Sequence, residues 1–478
     1  MRAYLATSIG VACTAALVLP LSIPPGAVAA PQAATSRSTA PQTTAVPGST
    51  QSLPLSDLAS RRSPGAAPER GLARRGVSPF SLLGVVWDDA DAELHGSVQV
   101  RTRELGTHDW SDWQRLETHS QEHGADLGTK ERDSGTVRGA TDPLWVGGSD
   151  GVEIRVRATE RLDESGPSRS LLPQGLRLEL VDPGKEPPVP TGTTAGSPAA
   201  GSPVAVPPAG GSPAGGSPAA GERVPAAAMT AEDAASSAVN AEFAELGATE
   251  ITAQSKAETE ADLAEAAESD QSAARRPYIG PRPRIITRRG WGADERLREK
   301  QFGYTKTVKA AFVHHSGTGN NYSCRQSPSV LRGIYRYHVK SSGWRDLGYN
   351  FAIDKCGNIY EGRAGGVARP VQGAHTLGFN KNSMGIAVLG TYSGSNPRAA
   401  ATTAVARLTA WKLGLHGINP RGKVRLTSGG SNKYKKGARV RLNAISGHRD
   451  GFVTDCPGAR LYRKLGTTRT SSARYQGR

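Results

Sequence analysis

Aromatic side chains are scarce in this chain of 478 residues, at 5% of the total. Glycine and proline are abundant, at 57 and 32. That balance excludes one continuous globule and predicts ordered modules joined by disordered sequence. Acidic residues are fewer than basic ones, 43 against 59, which leaves a formal net charge of +16. An excess of that size suits a polyanionic partner or surface. Zinc-finger, basic-zipper and aromatic-and-basic RNA-binding signatures are lacking, however, and the Lys and Arg are scattered, so no nucleic-acid partner is expected. Beyond the first thirty residues no apolar run is long enough to cross a bilayer, so no stable membrane span is expected. Cysteine is limited to Cys13, Cys324, Cys356 and Cys456.

The chain begins with Arg2, an apolar run over residues 9–23 and the small residues Ala27-Val28-Ala29-Ala30. A charged start, a short apolar core and an Ala-x-Ala site predict a secretory signal peptide, residues 1–29, cut after Ala29. An uncleaved anchor is the alternative, and Pro20, Pro24 and Pro25 argue against it. The mature protein is expected to be a monomer, secreted to the extracellular space or associated with an anionic cell wall. Residues 30–75 are rich in Ser, Thr, Ala, Pro and Arg without periodicity and read as disordered.

Residues 76–183 change character. Stretches 82–87, 97–103, 152–158 and 176–181 are compactly apolar or alternate polar and apolar, with Gly, Asp and Ser turns between them. This pattern predicts an all-β, sandwich-like accessory domain. Trp110, Trp113 and Trp145 read as core, with a sugar-stacking platform as the alternative. No cluster of His, Cys or carboxylates converges here, so the domain is assigned no catalysis. Residues 184–284 read as a long disordered linker. Variants of Ala195-Gly-Ser-Pro198 recur there, followed by an Ala-rich acidic stretch of some helical propensity.

Residues 285–465 combine both periodicities. Buried strands fit 309–313 and 383–389, hairpin arms fit 349–354 and 359–361 around Gly357 and Asn358, and helices fit 330–339 and 399–415. The order predicts an α/β domain, a mixed sheet covered by helices. Residues 466–478 are left as a tail.

Inside this last domain lie Val313-His-His-Ser316 and Gly447-His-Arg-Asp450, followed by Thr454-Asp-Cys456. Two imidazoles and a thiolate suit zinc, and three protein ligands with the fourth position left to water mark a catalytic site. Adjacent strand residues face opposite ways, so only one of His314 and His315 should reach an ion. Taken singly, each residue is more often a satisfied structural histidine or a small buried thiol. Together in one domain they favour zinc. With Cys13 in the export signal and Cys456 a ligand, Cys324 and Cys356 remain as an even pair, which predicts a disulfide in an exported protein. Two free buried thiols are the alternative.

Seven stretches occur in one order over residues 289–458. They are Arg289-Gly-Trp-Gly-Ala293, Val313-His-His-Ser316, Gly343-Trp-Arg-Asp-Leu-Gly-Tyr-Asn-Phe351, Ile359-Tyr-Glu-Gly-Arg363, Gly373-Ala-His-Thr376, Ser383-Met-Gly-Ile386, and Gly447-His-Arg-Asp450 through Thr454-Asp-Cys-Pro-Gly458. Jointly they resemble the peptidoglycan recognition protein and type-2 N-acetylmuramoyl-L-alanine amidase family, which includes amidase-type phage lysozymes. The resemblance implies zinc ligands at His314, His448 and Cys456 and a catalytic tyrosine at Tyr349. It also implies a second catalytic position at Thr454 and substrate-groove positions at His338 and His375. Arg363 and Arg369 could meet stem-peptide carboxylates, with solvated surface charge as the alternative. Glu361 is a possible general base or a structural carboxylate. The function so implied is a secreted, zinc-dependent amidase that hydrolyses the bond between N-acetylmuramic acid and L-alanine in peptidoglycan. Non-catalytic relatives typically lack the cysteine, so Cys456 favours an enzyme. The rivals are a module that binds peptidoglycan without cutting it and a zinc peptidase acting within the stem.

Overall fold

A computed structural model describes residues 48–58, 69–118, 123–159, 172–184, 229–268 and 278–478. The expected signal peptide and the Ala-Gly-Ser-Pro tract lie outside these residues. Strands β1 (Ser49–Pro54), β2 (Ser56–Asp57), β3 (Glu69–Trp87) and β4 (Gly96–Glu104) lie in one sheet. It also holds β5 (Gln114–Leu116), β6 (Gly139–Ala140), β7 (Leu144–Ala158) and β8 (Arg177–Asp182). Its main path runs β1-β8-β3-β7-β4-β5. The expected all-β domain is present. Alternate residues such as Val98 and Val100, Val152 and Ile154, and Leu178 and Leu180 point into one core. Register slips between Leu72 and Leu82 of β3 where it pairs with β7, which lets long strands bend around that core.

The second sheet holds β9 (Glu250–Ile251), β10 (Ile285–Ile286), β11 (Ala310–His315), β12 (Phe351–Ile353), β13 (Ile359–Glu361), β14 (Ser383–Val388) and β17 (Ile445–Gly447). Their order is β17-β11-β14-β12-β13-β10-β9. β11 pairs parallel with β14 and β17, and β14 parallel with β12, whereas β12 and β13 form the expected antiparallel hairpin. A separate hairpin joins β15 (Lys423–Thr427) to β16 (Arg439–Asn443). The helices are α1 (Ala231–Ala238), α2 (Lys256–Glu268), α3 (Ser327–Arg336), α4 (Ala399–Gly414), α5 (Ala459–Tyr462) and α6 (Leu465–Gln476). The mixed sheet covered by helices is therefore also present. Phe351 and Ile353 pack with Leu408 and Trp411 of α4, and Ala352 between them packs with α3 on the opposite face. None of the described helices is long and apolar enough to cross a membrane.

Three expectations need correction. Within the stretch read as disordered, β1 pairs antiparallel with β8, and Leu55 is buried. Its Ser-Thr-Gln-Ser sequence carries little apolar signal because main-chain pairing, not burial on both faces, holds it. Within the stretch read as linker, α1 is closed by a Thr230–Asp233 capping box, and Ile251 and Ile279 are fully buried in the α4 core. A few large apolar side chains suffice there because polar Asn240 is buried too, bonding Glu361 at 2.9 Å. Within the expected tail, α6 packs on α4. Ser472 bonds Thr409 at 3.0 Å and Gln476 donates to the Ala410 carbonyl at 2.9 Å. Small polar residues give that helix no apolar stripe but allow close approach.

The two domains were expected to be held apart by a linker, and instead they share a core. Leu82, Val86, Trp145 and Val181 of the first sheet pack against Val330, Leu331 and Ile334 of α3. Burial of each of these α3 side chains is worth roughly 1.5–3 kcal/mol. Gly84 admits the key contact: a Cβ there would meet the Tyr337 hydroxyl at 2.3 Å. That hydroxyl lies 3.1 Å from the Thr141 carbonyl and 3.3 Å from that of Val85. Trp145 is thus core, as expected. Trp110 and Trp113 are half-buried, with Arg74 and Arg101 over the first and Arg101 and Arg155 over the second.

Cys324 and Cys356 form the expected disulfide, with a sequence separation of 32. It ties the approach to α3 to the β12–β13 turn. Replacing both cysteines with alanine is expected to lower stability by about 3–4 kcal/mol through the larger entropy of the opened loop, read from urea unfolding at equilibrium.

Candidate metal centre

Strand β11 ends in His314 and His315, and β17 ends one residue before His448. Val313 lies opposite Gly447 in the parallel pairing, so His314 and His448 emerge side by side at the carboxyl ends of the strands. Open α/β sheets place their ligands at that edge. The chain then turns through residues His448–Asp450. Arg449 N donates to the Cys456 carbonyl at 3.0 Å, and Cys456 N donates to the Thr454 hydroxyl at 2.9 Å. These bonds fold the loop back and set Cys456 Sγ 3.7 Å from His314 Nδ1.

A fourth donor joins them from the β domain. His123 Nε2 lies 3.3 Å from His314 Nδ1 and 3.9 Å from Cys456 Sγ. The ligand atoms of His123, His314, His448 and Cys456 all lie within 4.8 Å of one another, and all four side chains are buried. A tetrahedral zinc with ordinary bond lengths has edges of roughly 3.3 Å between nitrogens and 3.6 Å from nitrogen to sulfur. The donor types and spacings fit that ion.

The surroundings favour neutral imidazole, the form that ligates. Burial, then the neighbouring His448 and His123, hold the His314 pKa well below the ordinary value. His314 Nε2 faces away from the cluster, 3.3 Å from His375 Nδ1 and 3.4 Å from the Thr376 hydroxyl. Partners on the far nitrogen fix which nitrogen faces an ion. His375 therefore stands behind His314 and is fully buried. Burial pushes its pKa down to about 3. Gly385 makes that place for it: a Cβ there would meet the His375 ring at 2.4 Å. His315 points away from His314's cluster, with Nε2 3.0 Å from Glu117.

The other expected residues fall around this cluster. The Tyr349 ring, just ahead of β12, lies 5.4 Å from that of His314 and 5.7 Å from that of His338. His338 accepts from Gly348 N at 3.2 Å and packs on Trp344. Burial, with His123 and Arg363 nearby, holds its pKa well down. Arg363 is buried, not a solvated surface charge. Its guanidinium meets Glu131 of the β domain at 2.6 and 2.9 Å. Arg369 stays exposed over Tyr304. Glu361 accepts from Asn240 and from Arg288 N, and burial raises its pKa to about 7. Those bonds favour the structural reading of that carboxylate over a general base.

His123 is the residue that sequence reasoning missed. It lies 191 positions from His314, in a segment with no ligand spacing of its own.

A family model described as N-acetylmuramoyl-L-alanine amidase matches residues 304–459. One described as Rv3811 N-terminal galactose-binding domain-like matches residues 34–188. Peptidoglycan-recognition protein SC2 of Drosophila melanogaster is 30% identical over 185 residues, 38% of this chain and 85% of that protein. The chain belongs to the peptidoglycan recognition protein and type-2 amidase family. Human peptidoglycan recognition protein 3 is 33% identical over 141 residues, 29% of this chain and 39% of its own. Among solved structures, Drosophila PGRP-LB is 27% identical over 38% of this chain and 92% of its own, at a TM-score of 0.30.

Within this family member, Cys456 is the only sulfur donor in the cluster. Cys456→Ala is expected to weaken zinc binding by more than the roughly 10- to 100-fold that loss of an orienting partner costs. Chelator competition followed by elemental analysis measures it, and unchanged affinity would remove Cys456 from the ligand set.

Proposed function

We propose that the chain is a secreted, zinc-dependent N-acetylmuramoyl-L-alanine amidase. It would hydrolyse the amide between the lactyl group of N-acetylmuramic acid and the L-alanine that begins the stem peptide. The observation that carries this is the convergence of His314, His448 and Cys456 at one sheet edge with spacings suited to zinc. When bound, zinc supplies Lewis-acid polarisation of a carbonyl and acidifies a water to a pKa of about 7. The protein's own residues do the rest. His375 and Thr376 hold His314 in its ligating orientation. Thr454 holds the Cys456 amide and so the loop that carries the thiol. Tyr349, buried beside His314, would orient a substrate carbonyl and donate to the oxygen that gains charge. Such a donor is worth roughly 3 kcal/mol, about 100-fold in rate. His338 and Arg363 would meet the stem peptide, the latter through its carboxylates.

A second reading, recognition of peptidoglycan without hydrolysis, is favoured by one observation: His123 sits where an open coordination position would be. Mass spectrometry of soluble products after incubation with peptidoglycan separates the two. Stem peptides with a free amino-terminal L-alanine are expected from the wild-type chain and from His123→Ala, none from Cys456→Ala, and about 100-fold fewer per unit time from Tyr349→Phe. Wall binding with no such peptides from wild type or His123→Ala would mean recognition alone. New termini inside the stem would mean a peptidase.

Export is part of the proposal and rests on residues 1–29. Protein recovered outside the cell is expected to begin at Ala30, read by amino-terminal sequencing. A chain retained with Met1 intact would contradict it.

A further inference from the structure

Three members of the donor cluster come from the catalytic domain, and His123 comes from the segment between β5 and β6 of the β domain. We propose that His123 is a fourth metal ligand and that residues 123–131 close the substrate site, so that the chain in this arrangement is a latent enzyme. The proposal rests on the reading of His314, His448 and Cys456 as a zinc site. Three protein ligands leave a catalytic ion open, and four close it.

Several contacts support closure at the metal. Asp142 Oδ1 lies 3.6 Å from His123 Nδ1, on the side away from the cluster. A carboxylate there orients a ligating imidazole and leaves Nε2 for the ion. The His123 ring stacks on His448, with centroids 4.7 Å apart and planes at 23°. Its edge meets Tyr349 at 5.6 Å. It therefore occupies the space between the ligands and the tyrosine, where an amide would have to enter.

The same segment fills the anchor for an anion at Arg363. Glu131 forms the two-point ion pair with Arg363 and also accepts from Arg345 N at 3.1 Å. Burial pushes the Glu131 carboxyl up, but the Arg363 charge and hydrogen bonds outweigh it and hold the group ionised. A carboxylate on Arg363 is what a stem peptide would present. Between these two points, Asp126 accepts from Gly378 N and from Asn380 Nδ2, each at 2.7 Å. The Gly124 carbonyl accepts from the same Asn380 amide at 2.8 Å. A loop docked for packing alone has no reason to meet both the metal donors and the arginine. An imidazole and a carboxylate on one segment reproduce the two attachments a substrate would make.

The test uses the full-length chain with cobalt in place of zinc, because cobalt reports its coordination in the visible spectrum. Wild type, His123→Ala and Asp142→Asn are titrated with azide, a small anion that enters an open coordination position. All three are expected to hold one cobalt. The wild-type bands should not respond to azide, the His123→Ala bands should shift on binding it, and Asp142→Asn should respond in between. Asp142→Asn keeps the imidazole, so it reports even if His123→Ala folds poorly. On a soluble muropeptide, His123→Ala should turn over roughly 10- to 1,000-fold faster, the reciprocal of a minor open population of about 0.1–10%.

Azide binding to wild type equal to that of His123→Ala would overturn the proposal. So would loss of cobalt from His123→Ala alone, which would make His123 an indispensable structural ligand. Absence of cobalt from every chain would overturn it together with the zinc reading. A spectral response as expected without any amidase products would leave the closed site standing and remove only the amidase.

Discussion

Three imidazoles and a thiol lie buried together at the end of a parallel sheet, and polar groups so placed are costly unless each finds a partner. The rest of the structure is arranged around that constraint. Parallel pairing of β11 with β17 sets His314 and His448 side by side. Backbone bonds across residues 448–456 return the thiol to them. His375 and Thr376 take the outward nitrogen of His314, which leaves its other nitrogen directed into the cluster. One ion would satisfy all four inward donors at once, and the donor spacings suit it.

A second constraint couples that site to the β domain. The outer face of the first sheet and α3 bury a common apolar core, and Tyr337 enters it through the gap at Gly84. This docking is what carries residues 123–131 onto the His/Cys cluster and Arg363. The β domain supplies His123 to the His/Cys cluster and a carboxylate to Arg363, while its own core, built from Val98, Ile154 and Leu178, stays separate.

Legibility followed the range of the interactions. Alternation in 97–103 and 152–158, the turn at Gly357 and Asn358, and the helix at 399–415 were readable because each depends on the geometry of neighbouring residues. The polar strand Ser49–Pro54, the Ala-rich α1 and the Ser- and Thr-rich α6 were not. Their order comes from partners far along the chain, β8, Glu361 and α4, and local composition carries no trace of those. Arg363 read as a partner for stem-peptide carboxylates, or a solvated charge, for the same reason, since its acid, Glu131, comes from a different domain.

By itself the sequence determined the two domain types, the disulfide pair and the family. It also held the donors His314, His448 and Cys456, because motif spacing and residue chemistry are local properties. Tertiary structure alone decided that the domains share a core, that His375 stands behind His314, and that His123 and Glu131 reach the His/Cys cluster and Arg363. Each of those depends on contacts between residues tens to hundreds of positions apart, which only the packing of one sheet against another brings together.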